Sequence, residues 1–414
     1  MHILMISIHD IWGSLDSFSP MKEILLFLGN NNVTVDFISL DKPAFCDKSS
    51  EIYGAPVDFI HKNVIIHRIK ILESKLLKPL YKVKILDRLF GKLRREILFG
   101  KKAYNSGKKI IKEKDVDIVY AYEIFGVKTA KKLSDKYHLP LVTRFQGSFL
   151  YDWEKRFGED YCRRKYKLHY KALSTPSDLL IMTNDGTQGD RILQKLGNAE
   201  NMRFWRNGFD FKPLPQSKEE LRLKLGLDEK MIYTVSVCRL AYWKRLERIV
   251  EAYRVIAEKR KNIKHIFVGE GDKRSYLEGL IKDYGLEEFF LFVGDTAHDK
   301  VPEYLQASDV FLSFFDSTNV GNPLLEAVKI NMPIVTYDVG DTSVIINGEN
   351  GVLLDEPTPQ KICGAVLEII DDKEYRLKMI SNVKETSKLL WTWQDRLKAE
   401  YDELINLTGG NYGT

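Results

Sequence analysis

Between positions 310 and 337 the chain runs from an apolar stretch through a polar loop rich in Asn and Gly to a proline-led segment and a second apolar stretch. Few folds accept that order. A short, continuous apolar run is the pattern of a strand buried on both faces, as in a parallel sheet. Residues 310–315 are therefore expected to form a strand, 316–322 a loop, and 334–337 the next strand. Pro323 is expected to open the intervening helix, where its missing N–H costs nothing, with Glu326 in the first turn. Open α/β sheets bind ligands outside the carboxyl ends of their strands. Exposed N–H groups at that helix start favour an anion. The Glu326 carboxylate could accept hydrogen bonds from sugar hydroxyls, or it could only complement the helix dipole.

The same alternation recurs along the chain. In the second half, strands are expected at 232–238, 265–268 and 290–294, with a helix over about 246–259. Arg239 and Lys244 flank a strand-to-helix turn, a geometry that can bring two cations and helix N–H groups onto one pyrophosphate. Glycine turns follow at Gly269-Glu270-Gly271 and at Val293-Gly294. In the first half, strands are expected at 1–8, 33–40, 115–122, 139–145 and 179–184. The opening βαβ lacks a GxGxxG, so no dinucleotide fingerprint supports it. Asp115 and Asp117 form a DxD, but they enter a buried strand instead of leaving one. With 414 residues, two domains are expected. The proline-rich 212–217 places a linker at 212–231, between an N-terminal domain over 1–211 and a C-terminal domain over 232–390.

Composition removes several classes. The hydrophobic and charged fractions, 44% and 29%, are those of a globular protein. Cys46, Cys162, Cys238 and Cys363 are scattered, without CxxC or a nearby His, which argues against structural zinc and a disulfide scaffold. The N-terminal apolar run is too short for a signal peptide, and no run approaches bilayer length. A cytoplasmic protein, or one peripheral on the inner membrane face, is expected. Positive charge is concentrated: residues 62–114 hold 17 Lys and Arg against four acids, in a chain of net charge +5. Within that segment, Val83, Leu86, Leu89, Phe90, Leu93 and Ile97 fall at helical spacing over 82–98. Such a basic amphipathic helix can dock on its own domain with a solvated face, or lie on an anionic membrane. Nucleic-acid binding is not expected, since stacking aromatics are few and no recognised motif is present.

Thr318-Asn-Val-Gly-Asn-Pro-Leu-Leu-Glu326-Ala resembles the signature of family 4 retaining glycosyltransferases of GT-B fold, a Glu, seven residues, a second Glu, then Ala. Here Thr318 stands at the first Glu. The resemblance implies two Rossmann-like doubly wound domains facing across a cleft, the last helix (391–405) packing back on the first domain. It assigns ribose binding to Glu326, and donor contacts to Thr318, Asn319, Val320, Gly321, Asn322, Pro323 and Leu324. Asp316 or Thr318 would take over from the missing Glu. Arg239 and Lys244 match the Arg and Lys that bind the donor diphosphate, and would be the catalytic pair. Gly269, Glu270 and the backbone at Val293 would border the nucleotide, the glycines letting it approach closely. On the acceptor side stand Gly13, Ser14, Gln146 and Gly147; Gln146 occupies a place where relatives often have His, and it cannot ionise. The implied activity is transfer of a hexose or N-acetylhexosamine from a nucleotide diphosphate sugar to a glycan or lipid-linked acceptor, in surface polysaccharide or glycolipid assembly. Neither a metal nor a resident cofactor is expected. A nucleotide-sugar epimerase of the same fold and a non-catalytic nucleotide-sugar-binding protein are the alternatives.

Overall fold

The structure is a computed structural model that describes residues 1–10, 19–41, 57–71 and 92–409, without the side chains of 92–96 and of residue 298. It divides into two compact units. The first comprises Met1–Asn184, Gly189–Asn207 and Gln394–Thr414, the second Asp185–Gln188 and Gly208–Trp393.

The first unit is built on seven parallel strands: β1 (His2–Ile6), β2 (Thr34–Leu40), β3 (Val64–Ile69), β4 (Ile118–Tyr122), β5 (Leu141–Phe145), β6 (Leu179–Thr183) and β7 (Met202–Trp205). Their order in the sheet is β3-β2-β1-β4-β5-β6-β7. Every residue of β4, β5 and β6 is buried, as expected of strands covered on both faces. The helix Lys92–Glu113 lies within the basic segment 62–114. Positions 72–91, which hold most of the expected amphipathic stripe, lie outside the described residues. Within the described part, the stripe differs from the expected one. Phe99, Ala103 and Ile110 face the core, while Ile97 is 60% exposed.

Charge is also buried in this unit. Arg144 on β5 and Arg396 on the helix Trp393–Leu407 both donate from Nη1 to Glu400 Oε2, at 2.6 and 2.9 Å. Tyr120 on β4 donates to the other carboxylate oxygen at 2.6 Å. Burial alone would raise the Glu400 pKa, but Arg144, Arg396 and Tyr120 hold it below the ordinary carboxylate value. These four side chains fasten the last helix to the first sheet.

The second unit has six parallel strands: β8 (Ile232–Val237), β9 (Ile263–Val268), β10 (Phe290–Gly294), β11 (Val310–Ser313), β12 (Ile334–Tyr337) and β13 (Val352–Leu354). They run in the order β10-β9-β8-β11-β12-β13. Both sheets step outward from their first strand in both directions, the doubly wound arrangement with a switch point beside β1 and beside β8.

The linker expected at 212–231 is part of this second unit. Ser217 opens the helix Lys218–Leu225 with a full capping box to Glu220. Arg222 then ties the helix down, donating to the Ala307 carbonyl at 2.9 Å and to Asp309 at 2.7 Å. The chain passes between units at 207–208 instead.

Candidate active site

The second unit gathers three loops at the carboxyl ends of its strands. After β8, the Leu240 N–H donates to the Glu270 carbonyl at 2.9 Å, and the Lys273 N–H to the Leu240 carbonyl at 3.0 Å. After β9, the Gly269 N–H donates to the Gly294 carbonyl at 3.0 Å. The turns at 239–240, 269–273 and 293–294 thus form one backbone-linked rim. Gly269 is needed for that rim itself: its φ is +132°, and a Cβ would lie 2.1 Å from the Cys238 carbonyl oxygen. The approach that excludes a side chain is therefore one loop against another. The Glu270 carboxylate is paired with Arg274 at 2.6 Å, four residues on, and Val293 lies half-buried on the rim.

A recess of about 80 Å³ opens beside β11. Its walls include Lys244, Phe315, Thr318, Asn319, Val320, Gly321, Pro323 and Leu324. Lys244 sits in a single 3-10 turn, Tyr242–Lys244, and its ammonium lies 3.8 Å from the centre of the Phe315 ring. Burial lowers the Lys244 pKa, and the nearby Cys238 thiol only partly opposes this. No carboxylate is paired with Lys244 among the described residues. Cys238 is itself pushed up to about 12 by burial, so it stays a neutral thiol. Arg239 is exposed on the rim and does not line the recess.

The helix beyond the recess is Asn322–Lys329, opened by Gly321 without a side-chain cap and with Pro323 in its second position. Its first-turn N–H groups are available to an acceptor from outside the helix. Glu326 is the fifth residue, one beyond the first turn where it was expected, and is only 2% exposed. It is engaged within the protein. The strand before the loop also ends early, at Ser313, because the Phe315 N–H turns to Asn319 Oδ1 at 3.0 Å.

Asn319 was expected among the donor contacts, yet its side chain is committed to the loop. Its Nδ2 donates to the Tyr337 carbonyl at 3.0 Å while Oδ1 accepts from Phe315. Leu324 and Val320 are buried in the apolar core, so little of their side chains is left to face a ligand in the recess. Thr318 Oγ1 accepts the Val320 N–H at 3.0 Å, and Gly186 approaches it so closely that a Cβ there would lie 2.0 Å away. Asp316, the other stand-in for the missing Glu, is held by Arg248 at 2.9 Å and Arg245 at 3.4 Å. Those two arginines and the Phe315 ring were not anticipated. The hint was Arg245 and Arg248 three apart at a helix start, where the dipole disfavours cations.

In the first unit, Gln146 follows β5. Its Nε2 donates to the Tyr122 hydroxyl, and Oε1 accepts from Thr183 at 3.3 Å and Asn207 at 3.4 Å. Its backbone N–H donates to Glu123 at 2.6 Å. Burial pushes Tyr122 up to about 12, with Arg144 opposing. Gly147 has φ +124°, a conformation suited to glycine. Gly13 and Ser14 lie outside the described residues. No group of three or more His, Cys, Asp or Glu able to hold a metal is found among the described residues, and none of their helices is long and apolar enough to cross a membrane.

Comparison with known proteins fits this geometry. Residues 217–386 match the family model described as glycosyl transferases group 1. A glycosyltransferase of Methanocaldococcus jannaschii, MJ1607, is 30% identical over 193 residues, 46% of this chain and 49% of that protein. The GDP-mannose-dependent alpha-(1-6)-phosphatidylinositol monomannoside mannosyltransferase of Mycobacterium tuberculosis is 24% identical over 246 residues, 57% of this chain and 63% of the relative. The chain thus spans about half to two thirds of the length of these relatives. Among solved structures, Anabaena HepE in complex with UDP and glucose aligns over 98% of this chain and 99% of its own, at 18% identity and a TM-score of 0.64. The chain therefore has the GT-B fold, and its residues 217–386 match the glycosyl transferases group 1 family.

Proposed function

We propose that the protein is a retaining, family 4-like glycosyltransferase. It moves a hexose or N-acetylhexosamine from a nucleotide diphosphate sugar to a glycan or lipid-linked acceptor. One observation carries the reading: Lys244, partly buried and without a carboxylate partner, faces the recess in front of an uncapped helix start. A desolvated ammonium beside free N–H groups is a site for an anion. The departing nucleoside diphosphate is that anion in this reaction. The relatives support the donor class, since one is named as GDP-mannose-dependent and a structural neighbour holds UDP.

The proposed roles follow from charge development. Bond cleavage leaves positive charge on the sugar ring and gathers negative charge on the diphosphate. Lys244, with Arg239 from the rim, stabilises the diphosphate where its charge grows. Glu326 receives the ribose hydroxyls, which asks its buried carboxylate to exchange an internal partner for the ligand. Gln146 cannot ionise, and Tyr122 holds its proton through the neutral range. In the retaining reaction proposed here, the leaving phosphate itself accepts the acceptor's proton, on the face from which the acceptor attacks. Two cations at the diphosphate let the step proceed without a metal. Assembly of surface polysaccharide or glycolipid, in the cytoplasm at the membrane face, is the setting that suits a lipid-linked acceptor.

Thermal unfolding with a panel of UDP-, GDP- and ADP-sugars tests this, with chelator present, for wild type and Glu326→Ala. A donor at about 100 times its Kd stabilises by about 2.7 kcal/mol. The expected result is a shift with one nucleotide class that shrinks in the variant relative to its own unliganded baseline. Product analysis then shows the anomeric configuration retained. Donor binding without any transfer would replace the proposal with a binding protein, and no shift with any donor would remove the nucleotide site.

A further inference from the structure

Three short helices of the first unit carry a second concentration of positive charge, separate from the 62–114 segment. They are Leu150–Phe157, Glu159–Lys165 and Lys167–Leu173. An open groove of about 770 Å³ runs along the last two, with Arg163, Arg164, Lys167, Lys171 and a single acid, Asp160, on its walls. All five are exposed.

The charges there are poorly balanced. Several of this protein's helix-surface cations are paired with acids four residues away, as in Lys131–Asp135, Arg274–Glu278 and Lys398–Asp402, while others, such as Lys132 and Lys282, have no ion pair among the described residues. In the groove only Arg163 has such a partner, Glu159 at 2.6 Å. Arg164 donates to the Asp160 carbonyl oxygen at 3.2 Å. Lys167 and Lys171 stand four residues apart on a helix with no acid of its own, and neither has an ion pair among the described residues. Like charges at that spacing on one helix repel each other. The groove floor is firm: the Arg163 guanidinium lies 4.8 Å from the Tyr170 ring centre, and the Tyr170 hydroxyl donates to Glu154. Tyr161 and Leu168 border the same helices and are 40% and 42% exposed.

We infer that this groove is a second anion site, which holds a phosphate-bearing group. Its volume accepts more than a lone phosphate. Two guanidinium groups can grip phosphate oxygens in pairs, and two ammonium groups supply mobile point charges. An ion of charge near −2 or −3 would relieve the repulsion that the helices otherwise carry. The inference concerns the first unit alone and stands apart from the donor recess, so each can fail without the other. The phosphate can come from a soluble molecule or from a lipid headgroup.

The test compares wild type with Arg164→Gln/Lys167→Gln/Lys171→Gln, all exposed positions, and with Lys167→Gln/Lys171→Gln should the triple variant unfold. Inorganic pyrophosphate is titrated by calorimetry with UDP present at saturation, so that the donor recess does not contribute. Flotation is run in parallel with vesicles of phosphatidylcholine alone and with added phosphatidylglycerol. We expect binding by wild type that weakens with salt and falls at least tenfold in the triple variant, while UDP affinity is unchanged. Pyrophosphate binding without flotation assigns the groove to a soluble phosphate group, and flotation on phosphatidylglycerol that the triple variant loses assigns it to a headgroup, whereas flotation that the variant keeps belongs to the 62–114 segment. Failure of wild type to bind either probe, or equal binding by the variants, overturns the inference.

Discussion

Replacement of Glu400 by Gln is the sharpest test of how the first unit is held together. The side chain keeps its shape but loses its charge. In the wild type, one carboxylate faces two guanidinium groups that are both fully buried, so the cluster carries a net charge of +1. In Glu400→Gln that becomes +2, with the hydrogen bonds from Arg144, Arg396 and Tyr120 all weakened. Removing one partner of a buried ion pair costs about 3–5 kcal/mol, because the remaining charge stays desolvated. For a unit of this size, 1 kcal/mol moves the midpoint by roughly 2–4 °C. The first unit's transition should therefore fall by on the order of 6–20 °C in scanning calorimetry. Arg396→Leu should cost less, because it leaves a neutral Arg144–Glu400 pair. The pH dependence has a definite sign. The folded-state pKa of Glu400 lies below its unfolded value, so its contribution is complete above about 4.3. It fades as the pH drops through the depressed folded value, and the gap between wild type and variant closes there. A Glu400→Gln midpoint within about 2 °C of wild type at neutral pH would refute the account.

Two further substitutions probe the second unit. Lys244→Met should leave the apo protein as stable as wild type or more so, since burial already disfavours the ammonium, while kcat/KM for the transfer drops by about 10²–10³; turnover within an order of magnitude of wild type would discard the diphosphate role. Gly269→Ala forces a side chain into φ +132° and against the Cys238 carbonyl, so calorimetry should show a loss of about 1–3 kcal/mol or more. An unchanged melting profile would mean that the rim tolerates a Cβ and that the glycine serves something else.

The alternation of elements was readable because parallel strands buried on both faces leave uninterrupted apolar runs. The strands around Ile118–Tyr122, Ile232–Val237 and Ile334–Tyr337 show this plainly. Loop chemistry was less readable. Asn319 looks like a ligand contact in a polar loop, whereas in the fold its amide holds Phe315 and Tyr337. The partners of Asp316 lie about 70 residues before it, Arg245 in the turn after Lys244 and Arg248 at the start of the helix Glu247–Lys259, and their spacing hints at a pairing without saying with which acid. Ser217 and Glu220 spell a capping box three residues apart, a readable signal that the neighbouring prolines obscured. The helix Lys92–Glu113 misled for another reason. Its apolar residues outnumber the places facing the core, so Ile97 could be assigned to the buried stripe although Phe99 and Ala103 fill it.

The buried cluster also bears on how the chain is made. Arg144 and its carboxylate are 256 residues apart, and Tyr120 and Glu400 are 280 apart. The whole second unit lies between them in sequence. During synthesis from the N-terminus, β4 and β5 emerge long before the helix that brings Arg144 its carboxylate. At roughly 5–20 residues per second, that delay is on the order of tens of seconds. Throughout that interval the first sheet holds a guanidinium where its core should close, and burying it unpaired is unfavourable. The later unit, whose strands and helices are contiguous in the chain, can reach its native packing first. The first unit can therefore complete its packing only after the helix Trp393–Leu407 arrives, once the second unit has been made.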